Sequence, residues 1–110
     1  AAAHTSGLIE RGVTAIITGS DLQALGAIHT ITSMGLSVPV DVSVIGFDDS
    51  FLMSHLSPGL TTVHQPVPAI VTAAVRNLFE ALATPDYTPE HADYVFSPDL
   101  VVRGTTAHAR

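Results

Sequence analysis

Two carboxylates, Asp48 and Asp49, stand directly behind the stretch Val42 to Phe47, an almost unbroken apolar run with one glycine. A strand wetted on one face alternates apolar and polar residues. A run of this kind instead predicts a strand covered on both faces, as in a parallel sheet flanked by helices. In open parallel sheets, ligands sit in the crevice beyond the carboxyl ends of the strands. A carboxylate there can accept hydrogen bonds from two hydroxyls at once, which suits a neutral polyhydroxylated ligand. The plainer expectation is that the two acids open a turn or cap the next helix, as Asp often does.

A second polar cluster, Ser20 and Asp21, follows the apolar run Val13 to Thr18. Right-handed crossovers between parallel strands would bring it to the same sheet edge as Asp48 and Asp49. Asp21, Asp48 and Asp49 together could hold Mg²⁺, as in phosphoryl-transfer or receiver domains. Receiver-like sites also use a lysine, and this chain contains none. The histidines, His4, His29, His55, His64, His91 and His108, show no paired spacing that suits a metal. No serine sits in a nucleophile elbow and no glycine-rich run matches a phosphate loop. Neither a metal nor a cofactor is expected. The absence of Cys rules out disulfides, thiolate metal sites and a Cys nucleophile.

At 110 residues the chain is one domain at most, or a piece of one. Its hydrophobic share is 46%, its charged share 13% and its mean hydropathy +0.41. Small domains bury a lower fraction of their surface than large ones. So apolar a chain is expected to have part of its surface covered by something outside it. The formal charge is −6, and the basic residues Arg11, Arg76, Arg103 and Arg110 are scattered. Nucleic-acid binding needs clustered cations, so this stretch alone is not expected to bind DNA. No apolar run reaches the length of a membrane span. The start, AAAHTSGLIERG, lacks a basic region followed by an apolar segment, so no secretory signal is expected and the expected location is cytoplasmic.

The elements that must position these residues follow from periodicity. Ala1 to Arg11 reads as the end of a helix stopped at Gly12, and Val13 to Thr18 as a strand. A helix is predicted from about Leu22 to Met34, with Leu25, Ile28, Ile31 and Met34 as its stripe and Ala24 and Ala27 beside them. Ser20 or Asp21 can cap it, and Ser20 with Gln23 fits a capping box. Gly35 ends it before the central strand at Val42. Ser50 to Leu60 predicts a short helix and a loop, apolar for a loop in water, and Thr61 to His64 a short strand. A clear amphipathic helix spans Ala69 to Ala83, with Val71, Ala74, Val75, Leu78 and Leu82 as its apolar stripe. Thr84 to Ala92 reads as a polar loop, and Tyr94 to Phe96 and Leu100 to Val102 as two last strands. The fold class expected is α/β, a parallel sheet flanked by helices.

The segments ITGSDLQALGAIHTITSMGLSVPVDVSVIGFDDS, LSPGLTTVHQP and PDLVVRGTT, in this order and spacing, resemble the lactose-repressor/galactose-repressor family of bacterial transcription regulators. The likeness covers nearly the whole chain and is to the last part of the effector-binding core, which has the type I periplasmic-binding-protein fold. It implies a partial, Rossmann-like C-terminal lobe over 1–66, a helix and strand over 67–97 that cross to the other lobe, and a return to the C-terminal lobe with the tail over 98–110. The resemblance implies that Asp48 contacts the effector, a sugar or purine-like molecule. Ser20 falls where many members have an Asn that reaches the ligand, Phe47 and Gln65 at pocket or hinge positions, and Asp21 at the helix cap. It implies dimerisation through Ala24, Leu25, Ile28, His29, Leu52, His55 and Leu56. The stripe of the Ala69 to Ala83 helix would be exposed without the other lobe, so self-association, with exchange of that helix or of the final strands, is expected. Operator DNA would be bound only through an N-terminal helix-turn-helix head lying before Ala1.

Two classes of function follow. One is the effector-sensing, dimerising part of a regulator, without enzyme activity. The other is a secreted solute-binding protein of a transport system, which a signal peptide upstream would decide. The Mg²⁺-dependent enzyme is the third and weakest expectation.

Overall fold

The computed structural model describes residues 2–86 and 93–109, and the chain divides into two units, Ala1–His64 with Asp99–Arg110, and Gln65–Pro98. The first unit contains helix α1 (Ala2–Glu10), strand β1 (Ala15–Ile17), helix α2 (Asp21–Ser33), strand β2 (Ser43–Asp48), a 3₁₀ turn (Phe51–His55), strand β3 (Thr61–His64) and strand β4 (Asp99–Val101). The four strands lie in the order β1-β2-β3-β4. β1, β2 and β3 are parallel, with Ile16 beside Val44 and Ile45 beside Thr61, and β4 runs antiparallel to β3 with Leu100 beside Val63. The α/β class and the parallel order expected from the apolar runs are what the chain adopts.

α2 packs on one face of this sheet. Ala24, Ala27 and Ile31 meet Ile16, Val44 and Leu60, with Val42 and Met53 closing the core. This corrects the expected stripe. Only Ile31 of Leu25, Ile28, Ile31 and Met34 is buried; Leu25 and Ile28 are half-buried and Met34 is exposed. Alanine side chains let the helix backbone approach the strands closely, which leaves the larger residues at the rim of the contact. Gly35, at φ +79, takes the left-handed conformation that follows the helix stop.

The central strand is buried on one face and partly covered on the other. Val44 and Gly46 are buried, whereas Ile45 and Phe47 on the opposite face are half-buried. β1 is shorter than the expected Val13 to Thr18, because its ladder with β2 closes after the pair Ile17 and Ile45.

The chain's last residues return to the sheet. Thr105, fully buried, sits where β2 and β3 begin: its hydroxyl donates to the Val44 carbonyl (2.7 Å) and accepts from the Thr61 N–H (2.8 Å). Its carbonyl accepts from the Val44 N–H at 2.8 Å, and the Gly104 N–H reaches the Gly59 carbonyl at 2.8 Å. Backbone groups that would be orphaned at the edge of the ladder are satisfied in this way.

The second unit contains helix α3 (Val67–Ala83), which starts two residues earlier than the sequence suggests, with Pro68 in its first turn. None of its residues is buried, and Val71, Val75, Leu78 and Leu82 are exposed as the amphipathic pattern implied. The strand expected over Tyr94 to Phe96 is absent; the segment is irregular. Alternating aromatic and β-branched residues favour extended backbone, but a strand forms only where a neighbour completes the ladder. The loop expected over Thr84 to Ala92 lies partly outside the described residues, as does His91.

Candidate ligand site at the carboxyl edge of the sheet

β2 ends on Asp48, which is exposed and held at φ 114, and Asp49 follows at φ 55. Two consecutive non-glycine residues with positive φ are uncommon, and such strain persists only where the surroundings hold it. Several ties do so. Beyond the turn, the Ser50 N–H donates to Asp21 Oδ2 at 2.7 Å. The other oxygen of Asp21 accepts from the Thr62 hydroxyl at 2.6 Å. Asp21, 2% exposed, therefore joins the start of α2, the turn after β2 and the middle of β3.

This assigns Asp21 a different task from the helix cap. Ser20 is the N-cap of α2: its backbone is extended (φ −159, ψ 158) and its Oγ accepts the Gln23 N–H at 3.2 Å, while Asp21 is already helical. Gln23 answers by accepting the Gly19 N–H on Oε1 at 3.1 Å, one residue before the position of a standard capping box. An extended residue can aim its hydroxyl at the helix's orphan donors, whereas Asp21, one step inside, projects onto the sheet. The sheet makes room at Gly46, where an added Cβ would collide with Asp21 Oδ1 and come within 2.8 Å of Leu60 Cδ2.

Asp49 is held on both oxygens, by an ion pair with Arg103 and a hydrogen bond with His64. Arg103 Nη2 lies 2.7 Å from Oδ1 and His64 Nδ1 lies 3.0 Å from Oδ2. The same guanidinium donates from Nη1 to the Leu60 carbonyl at 2.9 Å, and the Arg103 N–H donates to Thr61 Oγ1 at 2.9 Å. Burial pushes the Asp49 carboxyl up, but the hydrogen bonds and charges of Arg103 and His64 outweigh it and hold the group below its ordinary value of 3.8. A carboxyl with a lowered folded pKa contributes stability that is complete above its unfolded pKa and is lost as pH falls through the folded value. Wild type is therefore expected to be more stable than Asp49→Asn at pH 7, and the two to converge as urea melts are taken down from pH 5 to pH 2.5. A gap that stays constant would remove Asp49 as the source.

Ser20 and Asp48 both lie at the carboxyl edge, on connections from the adjacent parallel strands β1 and β2, where the Thr18 N–H still bonds the Ile45 carbonyl at 2.9 Å. Strand alternation puts Phe47 on the face opposite Val44 and Gly46. Gln65 opens the second unit, half-buried, and its carbonyl takes the Val67 N–H at 2.8 Å. A cleft of about 350 Å³ lies between α1, β1 and the start of α2, lined by residues including His4, Thr5, Thr18 and Gly19 but not Asp48.

Of the residues expected at a dimer face, Ala24 is corrected: it is wholly buried in this chain's own core, on the side of α2 that faces the sheet with Ala27 and Ile31. Leu25, Ile28 and Leu56 are half-buried against that core, and His29, Leu52 and His55 are exposed. Arg103, Thr62 and His64 went unassigned from sequence; the one available signal was a lone cation in the apolar stretch LVVRGTT. Among the described residues no group of three or more His, Cys, Asp or Glu could hold a metal ion, and no helix is long and apolar enough to cross a membrane.

Parallel strands wound with helices, with polar side chains gathered where the strands end, define a periplasmic binding protein-like domain, and the family profile of that description matches residues 2–106. The chain belongs to this family, as the C-terminal portion of the effector-binding core of LacI-type transcriptional regulators. The HTH-type transcriptional regulator MalR of Streptomyces coelicolor is 53% identical over 108 residues, covering 97% of this chain and 30% of that protein. The transcriptional regulator CelR, solved as a complex with cellobiose, has a TM-score of 0.84 at 32% identity, over 94% of this chain and 32% of that one. A LacI-type transcription regulator from Bifidobacterium animalis subsp. lactis has a TM-score of 0.84 at 32% identity, over 96% and 38%. The chain spans about 30% of the length of MalR and of two other Streptomyces regulators that it matches at 50–53% identity.

Proposed function

We propose that this chain is the effector-sensing and self-associating part of a transcriptional regulator, and that its effector is a neutral sugar bound at the carboxyl edge of the sheet. The observation that carries this reading is the placement of Ser20 and Asp48 at the carboxyl edge of the adjacent parallel strands β1 and β2, Asp48 exposed at the end of β2 with φ 114 and Ser20 capping α2. In this reading Asp48 accepts from two sugar hydroxyls, Ser20 donates its hydroxyl hydrogen, and Phe47 and Gln65 contribute from the wall and hinge. The cellobiose bound by the similar regulator CelR is support for the ligand class. Residues 67–97 cross to a second lobe, and effector closure of the lobes shifts the population of DNA-binding states in a separate head.

Calorimetric titration with cellobiose tests the site. Asp48→Ala is expected to weaken binding at least about tenfold, the scale of a hydrogen bond to a charged group. Equal affinity in both proteins overturns the assignment, and binding of a purine base in place of the sugar would replace the ligand class. In a regulator carrying its head domain, the same substitution is expected to abolish the effector response and leave operator binding intact. Exposed Leu52 on the first unit, and Val71, Val75 and Leu78 on α3, favour homodimers or helix-exchanged oligomers, which sedimentation velocity on the same samples reads directly.

A further inference from the structure

The turn that carries Asp48 is held by a residue from the far end of the chain. We infer that Arg103 is the positioning residue of the ligand-binding turn, its guanidinium clamping Asp49 to the start of β3 and so fixing the direction in which Asp48 is presented. The inference rests on the proposed role of Asp48.

The geometry is that of a fork. One arm of the guanidinium, Nη2, is 2.7 Å from Asp49 Oδ1, and the other, Nη1, is 2.9 Å from the Leu60 carbonyl. The backbone of Arg103 is itself fixed, since its N–H bonds Thr61 Oγ1 and the next N–H, of Gly104, bonds the Gly59 carbonyl. The side chain runs along Gly59, where an added Cβ would meet Arg103 Cδ at 3.3 Å. A planar, always-charged group anchored at both ends is suited to hold a carboxylate in one place, and a lysine cannot make both bonds in the same plane. The group it holds is adjacent to the strained residue: Asp48 at φ 114 and Asp49 at φ 55 share the turn. His64 reaches the other oxygen of Asp49, but from a side chain that is 47% exposed against 20% for Arg103, so the arginine is the firmer tie.

Amide hydrogen exchange separates this role from a general contribution to stability. The Ser50 N–H, bonded to Asp21 just beyond the turn, reports the turn. The Val44 and Thr61 N–H groups, bonded to Thr105, report the C-terminal segment. Arg103→Met is expected to speed exchange at Ser50 about tenfold, the factor for one charge-assisted hydrogen bond, with Val44 and Thr61 unchanged. Asp49→Asn should act in the same direction, and Arg103→Lys should recover part of the protection. Exchange at Ser50 that is unchanged, or that rises equally at all three amides, overturns the inference. With cellobiose as probe, Arg103→Met is expected to weaken binding about tenfold and Arg103→Lys less; an unchanged affinity in Arg103→Met also overturns it. Asp48→Asn keeps the ion pair and should leave Ser50 exchange as in wild type. Failure of the sugar reading therefore shows as no cellobiose binding by the wild type, and failure of the clamp as unchanged exchange at Ser50 or as unchanged affinity in Arg103→Met.

Discussion

Asp21→Ala is expected to cost about 3 kcal/mol, the largest loss of any single substitution at the sheet edge. The side chain is 2% exposed and accepts two short bonds, from the Thr62 hydroxyl and the Ser50 N–H. Truncation leaves the buried Thr62 hydroxyl and the part-buried Ser50 N–H without that partner. Leaving a buried donor unmatched costs roughly 1–3 kcal/mol each, partly recovered by relaxation. A natural domain has only about 5–15 kcal/mol in hand, so the urea midpoint should fall far below that of wild type. Asp21→Asn keeps an acceptor oxygen of the same shape and should fall between the two. Since Asp21 closes the turn that carries Asp48, the alanine variant should also bind ligand poorly even where it remains folded. A midpoint within experimental error of wild type would show that the turn closes without this residue.

Gly46→Ala is expected to lose about 2–3 kcal/mol, the usual cost of forcing an extra methyl into a packed core. The added Cβ meets Asp21 Oδ1 below contact distance, Leu60 Cδ2 at 2.8 Å and Asp21 Cα at 3.3 Å. Leu60 is fully buried and Asp21 is tethered by its own bonds, so neither yields cheaply. The two substitutions share one obstacle, and neighbours of this kind are not additive. In a double-mutant cycle, Gly46→Ala with Asp21→Ala should cost less than the sum of the singles, because the collision with the carboxylate disappears. Simple additivity would place the strain at Leu60 and the Asp21 backbone instead of at the carboxylate.

How far the chain could be read in advance depended on whether a feature is local. The run Val42 to Phe47 announced the central strand because burial needs apolar residues at consecutive positions, and Ser20 with Gln23 announced the start of α2 because caps work over one helical turn. Asp21 was misjudged for a related reason. An acid at a helix start satisfies the rule for a cap and the rule for a buried tie equally well, and only the neighbouring strands decide. Tyr94 to Phe96 had the composition of a strand, but ladder partners are not written into the segment itself. Arg103 was the least legible: its partners Asp49 and Leu60 lie far away in sequence, and nothing in LVVRGTT names them. The carboxyl edge itself was foreseeable from strand order, since Ser20 and Asp48 follow apolar runs in parallel strands. What could not be foreseen was that Asp21 bonds Thr62 and Ser50, and that Asp49 bonds Arg103 and His64.

The placement of Thr105 bears on how the protein is made. β2 and β3 begin around its hydroxyl and carbonyl, so the Val44 N–H and carbonyl and the Thr61 N–H lack these partners until Thr105 has left the ribosome. Domains fold as units during synthesis, and unsealed strand ends are exposed to stray pairing in the meantime. A nascent chain stalled before Arg103 would present those first backbone groups of β2 and β3 unmatched at the edge of the ladder, a natural target for chaperones.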